Sequence, residues 1–215
     1  MKIISAKVAS NLFFGAIGIV VINTASAQNL ILNPGFETGT GGTANNWTLA
    51  QAAGGPVYGV RTNDNPNSGS YNYEAYLASV GAGPVVRFEQ DAVPVTGGIN
   101  YNFSFYADAL AGSAGEVTQW NIEWFNGGLI GQTGFQTYSP GNNSYKFINN
   151  VVGAMAGATS ADVIFYNAGA AAPSLSATID FDDVSLAAVP EPNTIALIGG
   201  GLFGLVFMGV RKFKS

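Results

Sequence analysis

The chain has 215 residues and contains neither cysteine nor histidine. Without cysteine there is no disulfide framework, no thiol nucleophile and no iron–sulfur cluster. Without histidine there is no Ser-His-Asp triad and no imidazole-based zinc site. Charge is sparse too: 10% of residues, with 8 bases against 13 acids and a net charge of -5. An acidic chain has no basic patch with which to displace counterions from a phosphate backbone, so nucleic acid is excluded as a partner. Glycine, by contrast, is abundant: its 29 residues are about twice the usual share of roughly 7%. The apolar share of 47% is too high for a disordered chain.

Both ends read as addresses. Residues 1–27 have the parts of a secretory signal peptide: Lys2 and Lys7, then an apolar run of 11 residues from Leu12 to Ile22, then Ala25-Ser26-Ala27 as a cleavage signal, so that the mature chain starts near Gln28. That run is too short to cross a hydrocarbon core of ~30 Å. At the other end, Thr194 to Val210 is 17 residues without a charge, followed at once by Arg211, Lys212 and Lys214. As a helix it is at the short end of what spans a bilayer. The basic tail stays on the cytoplasmic side. Before it, Val189-Pro190-Glu191-Pro192 is an extended, stiff spacer, because two prolines exclude helix.

This order of Pro190-Glu191-Pro192, Gly-rich apolar helix and Arg/Lys tail resembles a PEP-CTERM sorting signal over 189–215. The resemblance implies an exosortase, a membrane protease-transpeptidase of exopolysaccharide-producing Gram-negative bacteria, as processing partner. It further implies export across the inner membrane, membrane insertion through the C-terminal helix, and later placement at the cell surface or in the extracellular matrix. A permanent tail anchor is the competing reading.

Residues 28–188 read as one all-β domain with twelve carboxylates and only Arg61, Arg87 and Lys146 as bases. Apolar residues alternate with period two, which puts Tyr101, Phe103 and Phe105 on one face and Asn100, Asn102, Ser104 and Tyr106 on the other. In the same way Trp120, Ile122 and Trp124 oppose Gln119, Asn121, Glu123 and Phe125. Further strands are expected at 29–32, 71–77, 85–91, 145–151, 161–167 and 176–186, separated by turn-rich pieces such as 63–69 and 139–142. No amphipathic helix stands out before residue 189. About nine short strands predict an antiparallel β-sandwich or jelly roll, flanked by the signal peptide and a transmembrane helix.

Local motifs narrow this further. The domain opens with Asn33-Pro34-Gly35-Phe36-Glu37, passes Trp47, Ser68-Gly69-Ser70-Tyr71 and Phe88-Glu89-Gln90-Asp91, and closes with Asp182-Asp183-Val184-Ser185-Leu186. The series resembles the jelly-roll carbohydrate-binding modules of the galactose-binding-like superfamily. That resemblance implies a non-catalytic domain that associates with extracellular polysaccharide. The alternative is a structural or protein-binding matrix component of the same fold without a sugar site.

These residues offer three chemistries. In a jelly roll the first and last strands lie close together, which would gather Glu37 with Asp182 and Asp183. Carboxylates so gathered repel unless a cation bridges them, and oxygen donors without His or Cys select Ca²⁺. The resemblance implies a structural calcium at this place, with Glu37 and Asp182 as matching positions and Asp183 as the neighbour in register. For a glycan, the outward Tyr106, Asn121, Glu123 and Phe125 offer aromatic faces and polar groups, with Tyr58, Arg61 and Tyr138 as loop contacts; Trp120 and Trp124 belong to the core. For catalysis, Glu116 with Glu123, or Glu89 with Asp91, are the available carboxylate pairs. Strand periodicity alone produces such spacings, and no triad, P-loop or nucleotide fingerprint is present, so no enzyme is expected.

Overall fold

The computed structural model describes residues 27–54, 57–77, 85–110, 117–168 and 176–190. The signal-peptide run, Glu116, Glu191, Pro192, the C-terminal apolar segment and its basic tail lie outside the described residues. Within them the chain is all-β: β1 (Gly39–Thr40), β2 (Thr43–Ala44), β3 (Thr48–Ala53), β4 (Val57–Thr62), β5 (Asn72–Leu77), β6 (Val85–Pro94), β7 (Asn100–Ala109), β8 (Val117–Phe125), β9 (Leu129–Gln132), β10 (Gln136–Thr137), β11 (Gly141–Asn142), β12 (Lys146–Gly153), β13 (Ser160–Ala168) and β14 (Ala177–Ala188).

The first sheet runs β10-β8-β13-β6-β3, with β9 also on β8; the second runs β11-β7-β14-β5-β4, with β12 also on β7. Every pairing is antiparallel except the two-residue contact of β11 with β7. Period-two alternation decides which side of each strand is buried. Tyr101, Phe103, Phe105 and Ala107 of β7 face inward, as do Trp120, Ile122 and Trp124 of β8, and all are buried. Between the sheets an aromatic spine forms. Phe165 lies 4.9 Å from each of Phe88, Phe105 and Phe181, and Phe88 lies 4.3 Å from Tyr73. Offset and edge-on aromatic packing of this kind adds to the gain from burial itself. The result is an antiparallel β-sandwich of the jelly-roll type.

Three local devices shape the ends. Asn33 and Phe36 have positive φ of 51° and 56°, which turns the chain sharply and drives Phe36 into the core, 5.1 Å from Trp47. The Asn33 amide staples this turn by donating to the carbonyls of Thr38 and Asn45 and accepting from the Thr38 N–H. In β14, the register shifts between Asp182 and Ser185, where Asp183 has a φ of 51°. This bulge keeps Asp182 on the outer face and returns Val184 and Leu186 to the core. Finally, the strand expected at 29–32 is absent as a ladder. A single bridge joins Asn29 to Ala187, and side chains supply the remaining bonds.

Candidate functional site

The structure separates residues that the sequence reading grouped. Tyr106 is on β7, so it lies on the outer face of the second sheet, where Phe147 of β12 packs on it at 5.0 Å. Asn121, Glu123 and Phe125 are on β8 and lie on the outer face of the first sheet. The core stands between the two sets, so one ligand cannot touch both. Tyr138 and Arg61 are also withdrawn, with only 8% exposure each. Arg61 donates to the carbonyls of Phe36 (2.6 Å) and Glu37 (2.7 Å) and caps the Tyr71 ring, whereas Tyr58 is exposed and stacks on Tyr76.

The outer face of the first sheet is the more developed surface. Three rows of side chains cross it: Arg87, Tyr166, Gln119 and Thr137; then Glu89, Ile164 and Asn121; then Asp162, Glu123 and Gln132. Phe135, from the turn after β9, packs on Tyr166 at 5.4 Å and remains 47% exposed. Arg87 grips Glu89 at 2.5 Å. Asn121 is fully buried; its amide donates to Gln132 Oε1 (3.0 Å) and Glu123 Oε1 (3.3 Å) and accepts from Thr133 Oγ1 (3.0 Å). With its bonding capacity used locally, Asn121 positions Glu123 and Gln132 and does not itself face solvent. Ile164 is fully buried at the centre of this face, apart from the core cluster.

An aromatic platform beside amide, carboxylate and guanidinium groups suits a sugar. Aromatic faces stack on its C–H surface, and polar side chains bond its hydroxyls. Tyr166 and Phe135 were not singled out from sequence. The alternation of 161–167 already placed Tyr166 outward, while Phe135 sits in a turn without periodicity. The carboxylates of Glu89 and Asp91 are both raised above their ordinary range. Burial is the leading cause in each. At Glu89 the Arg87 partner opposes it, and at Asp91 the negative charge of Asp162 adds to it.

The carboxylates expected to hold calcium all bond to the loop 63–71. Glu37 Oε1 accepts the N–H groups of Ser70 (2.8 Å) and Tyr71 (3.1 Å). Gly69, with φ of 63°, leaves room for it, since a Cβ there would collide with the Glu37 carboxylate. Asp182 Oδ2 accepts the N–H groups of Asn67 and Ser68, both at 2.9 Å. Asp183 accepts from the Asn67 amide (2.9 Å) and the Ser68 hydroxyl (2.7 Å). These bonds engage Glu37 Oε1, Asp182 Oδ2 and both Asp183 oxygens, and calcium at these three residues stays an expectation of the resemblance. Among the described residues, no group of three or more acidic side chains is placed to share a metal ion. Glu37, Asp182 and Asp183 together clamp the loop 63–71 over the second sheet.

Beneath that loop lie further acids. Asp108 and Asp180 face each other across β7 and β14, and Asp180 pairs with Glu74 of β5. Burial pushes Asp180 up to about 7, with Asn65 opposing and Glu74 and Asp108 reinforcing. Burial likewise pushes Asp182 up to about 6, against the pull of the Ser68 N–H.

Comparison with known proteins gives two findings. Residues 188–212 match the PEP-CTERM protein-sorting motif, and so contain Pro190-Glu191-Pro192. Of these, only Pro190 is described, exposed one residue past Val189, whose N–H donates to the Asn100 carbonyl at 2.8 Å. The sandwich is similar to the CBM22-1 xylan-binding domain of Xyn10C from Paenibacillus barcinonensis, at 15% identity and a TM-score of 0.52, covering 78% of this chain and 98% of that one. It is also similar to TmCBM61 in complex with β-1,4-galactotriose, at 18% identity and a TM-score of 0.50, covering 74% and 98%. The enzymatically active domain of bacteriophage CBA120 tailspike protein 4 aligns at 19% identity and a TM-score of 0.58, covering 75% of this chain. The present chain spans 21% of that tailspike chain. A search of the curated proteins gave no match. At these identities the likeness is one of fold: a jelly-roll sandwich of the type found in carbohydrate-binding modules, joined here to a PEP-CTERM sorting motif.

Proposed function

We propose that the protein is exported, is processed at its C-terminus by an exosortase, and binds extracellular polysaccharide without catalysing a reaction on it. The observation that carries the binding reading is the exposed Phe135 on Tyr166 beside Gln119, the Arg87–Glu89 pair and the Asn121-held Glu123 and Gln132, all on one face. The carboxylates that the sequence offered as a pair there, Glu89 and Asp91, are neighbours on a single strand with Arg87 holding Glu89. That arrangement does not straddle a glycosidic bond. The sorting motif supports export, and residence at the cell surface or in the matrix follows from the same reading. A protein-binding role on the opposite face has its own observation: Phe147 and Val151 of β12 are exposed by 51% and 67%.

The test is affinity electrophoresis of the purified chain in gels containing neutral polysaccharides. Stacking on an uncharged sugar is insensitive to ionic strength. At least one polysaccharide should retard the protein equally at low and high salt. Absence of retardation by every neutral polysaccharide, or retardation abolished by salt, contradicts the reading.

A further inference from the structure

The edge of a β-sheet carries N–H and C=O groups that can take up a further strand, and soluble domains blunt such edges. Among the described residues, three of the four sheet edges are blunted. On the first sheet, β3 has a register shift between Leu49 and Gln51, and the opposite edge is built of β9 and β10, four and two residues long. On the second sheet, β4 is covered where the Arg61 N–H donates to the Gly42 carbonyl at 2.8 Å. The fourth edge is β12. It pairs with β7 from Lys146 to Gly153 without a register shift, contains no proline, and has no strand on its other side. A cleft of about 280 Å³, lined by Ile148, Asn150, Trp120, Gln136 and Thr137, lies beside it.

The ladder identifies the free groups. The Ala154 N–H donates to the Ile99 carbonyl, and the Ala154 carbonyl accepts from the Gly98 N–H. Antiparallel alternation then turns the N–H and C=O of Val152, Asn150 and Ile148 towards β7, and those of Phe147, Asn149 and Val151 away from it. No donor or acceptor among the described residues meets the latter. The side chains of the same three residues stand on the outer face, with Phe147 and Val151 well exposed. A second observation concerns charge. Residues 28–188 carry twelve carboxylates, but none falls between Trp124 and Ala161, where Lys146 is the one charged residue. Two acidic copies repel each other, and this edge is where that repulsion is least.

We propose that β12 pairs with β12 of a second copy, antiparallel about a two-fold axis at Asn149. The strand is complementary to itself. Phe147 and Val151 lie two positions either side of Asn149, so Phe147 of each copy sits across from the other copy's Val151 and covers it. The three facing pairs each exchange two N–H···O=C bonds, which satisfies every free group of Phe147, Asn149 and Val151. The two copies of Lys146 end ~20 Å apart, beyond a screening length of ~8–10 Å. An isologous contact of this kind closes on itself, giving a dimer and no fibre. The axis is normal to the sheet, so the first-sheet face of each copy stays open. The pairing makes the protein-binding reading of the second sheet specific and does not use the saccharide reading.

The chain has no cysteine, so a single introduced thiol reports its own neighbour. Asn149→Cys places two thiols across the axis with Cα atoms ~5.5 Å apart, inside the range of ~4.4–6.8 Å that a disulfide spans. Thr48→Cys, on the bulged edge strand β3, is the control, and both positions are exposed. The full chain is oxidised in air and resolved by non-reducing electrophoresis. Asn149→Cys should form covalent dimers at least tenfold faster than Thr48→Cys. Adding Val151→Lys, which sets a charge against Phe147 at an exposed position, should return the rate to that of the control. Cross-linking of Asn149→Cys no faster than that of Thr48→Cys, or unchanged by Val151→Lys, overturns the pairing. Saccharide binding is read separately, by retardation in neutral polysaccharide gels, and stands or falls on its own.

Discussion

Gln90 acts as a piece of backbone. It points inward from β6, is 2% exposed, and its amide both accepts the Leu32 N–H (2.8 Å) and donates to the Leu32 carbonyl (2.7 Å). Asn29 does the same at the other end of this segment, accepting from Ile31 and Leu186 and donating to Val184. These side chains replace the ladder that was expected at 29–32, which is why the segment follows the sheet edge without being a strand. A buried peptide left without partners costs about 1–3 kcal/mol. Gln90→Ala should therefore destabilise the domain by about that amount, measured by urea denaturation, with little change in the slope of the transition. A loss below half a kcal/mol would show that water replaces the amide without penalty.

Alternation within an element was legible from sequence. Inward Phe103, Phe105, Trp120 and Trp124, and outward Tyr106 and Glu123, follow from period two alone. The sheet to which each strand belongs was not legible. That depends on pairings such as β8 with β13 and β7 with β14, which join residues far apart in the chain. Tyr106 and Phe125 were grouped because both point outward, and they prove to point outward from opposite sheets. The strand β3 was missed for a different reason: Thr48–Ala53 is exposed throughout, so no apolar face signals it. Of the candidate site, Asn121 and Glu123 were legible, while Tyr166 and Phe135 required the fold.

Pairing of β6 with β13 also sets a pH dependence. The register shifts between Ala161 and Val163, where the N–H of Ala92 (φ 55°) donates to Asp162 Oδ1 at 2.8 Å. Asp91 is thus placed by Asp162, with Glu89 on the same strand and Arg87 beyond it. Its raised pKa means that the folded state holds a proton to higher pH than the unfolded chain does. Stability from this group is present below the ordinary carboxylate range and is lost as pH rises through the raised value. Asp91→Asn removes the titration. The stability of this variant relative to the unaltered protein should increase as pH rises above about 4, in denaturation curves taken at several pH values. A constant difference across that range would contradict the assignment.

At the scale of the whole molecule, sorting belongs to the C-terminal motif, and the function proposed above gives recognition to the sandwich. Residues 28–188 have twelve carboxylates and three bases, so anionic surfaces repel them, and the proposed retention at a cell needs another route. Pro190 is exposed at the end of the described residues. Mass spectrometry of the extracellular form should find a C-terminus that lacks Lys214 and Ser215. An extracellular chain with both still attached would count against processing.

The central claim is that the outer face of the first sheet, and not that of the second, binds saccharide. The direct measurement compares matched aromatic truncations on the two faces, by titration with the neutral polysaccharide that the unaltered protein binds best. Tyr166→Ala and Phe135→Ala should each weaken binding about tenfold, the equivalent of ~1.4 kcal/mol, while Tyr106→Ala and Phe147→Ala leave it within about twofold. Binding lost with Tyr106 or Phe147 and kept with Tyr166 and Phe135 would contradict the claim.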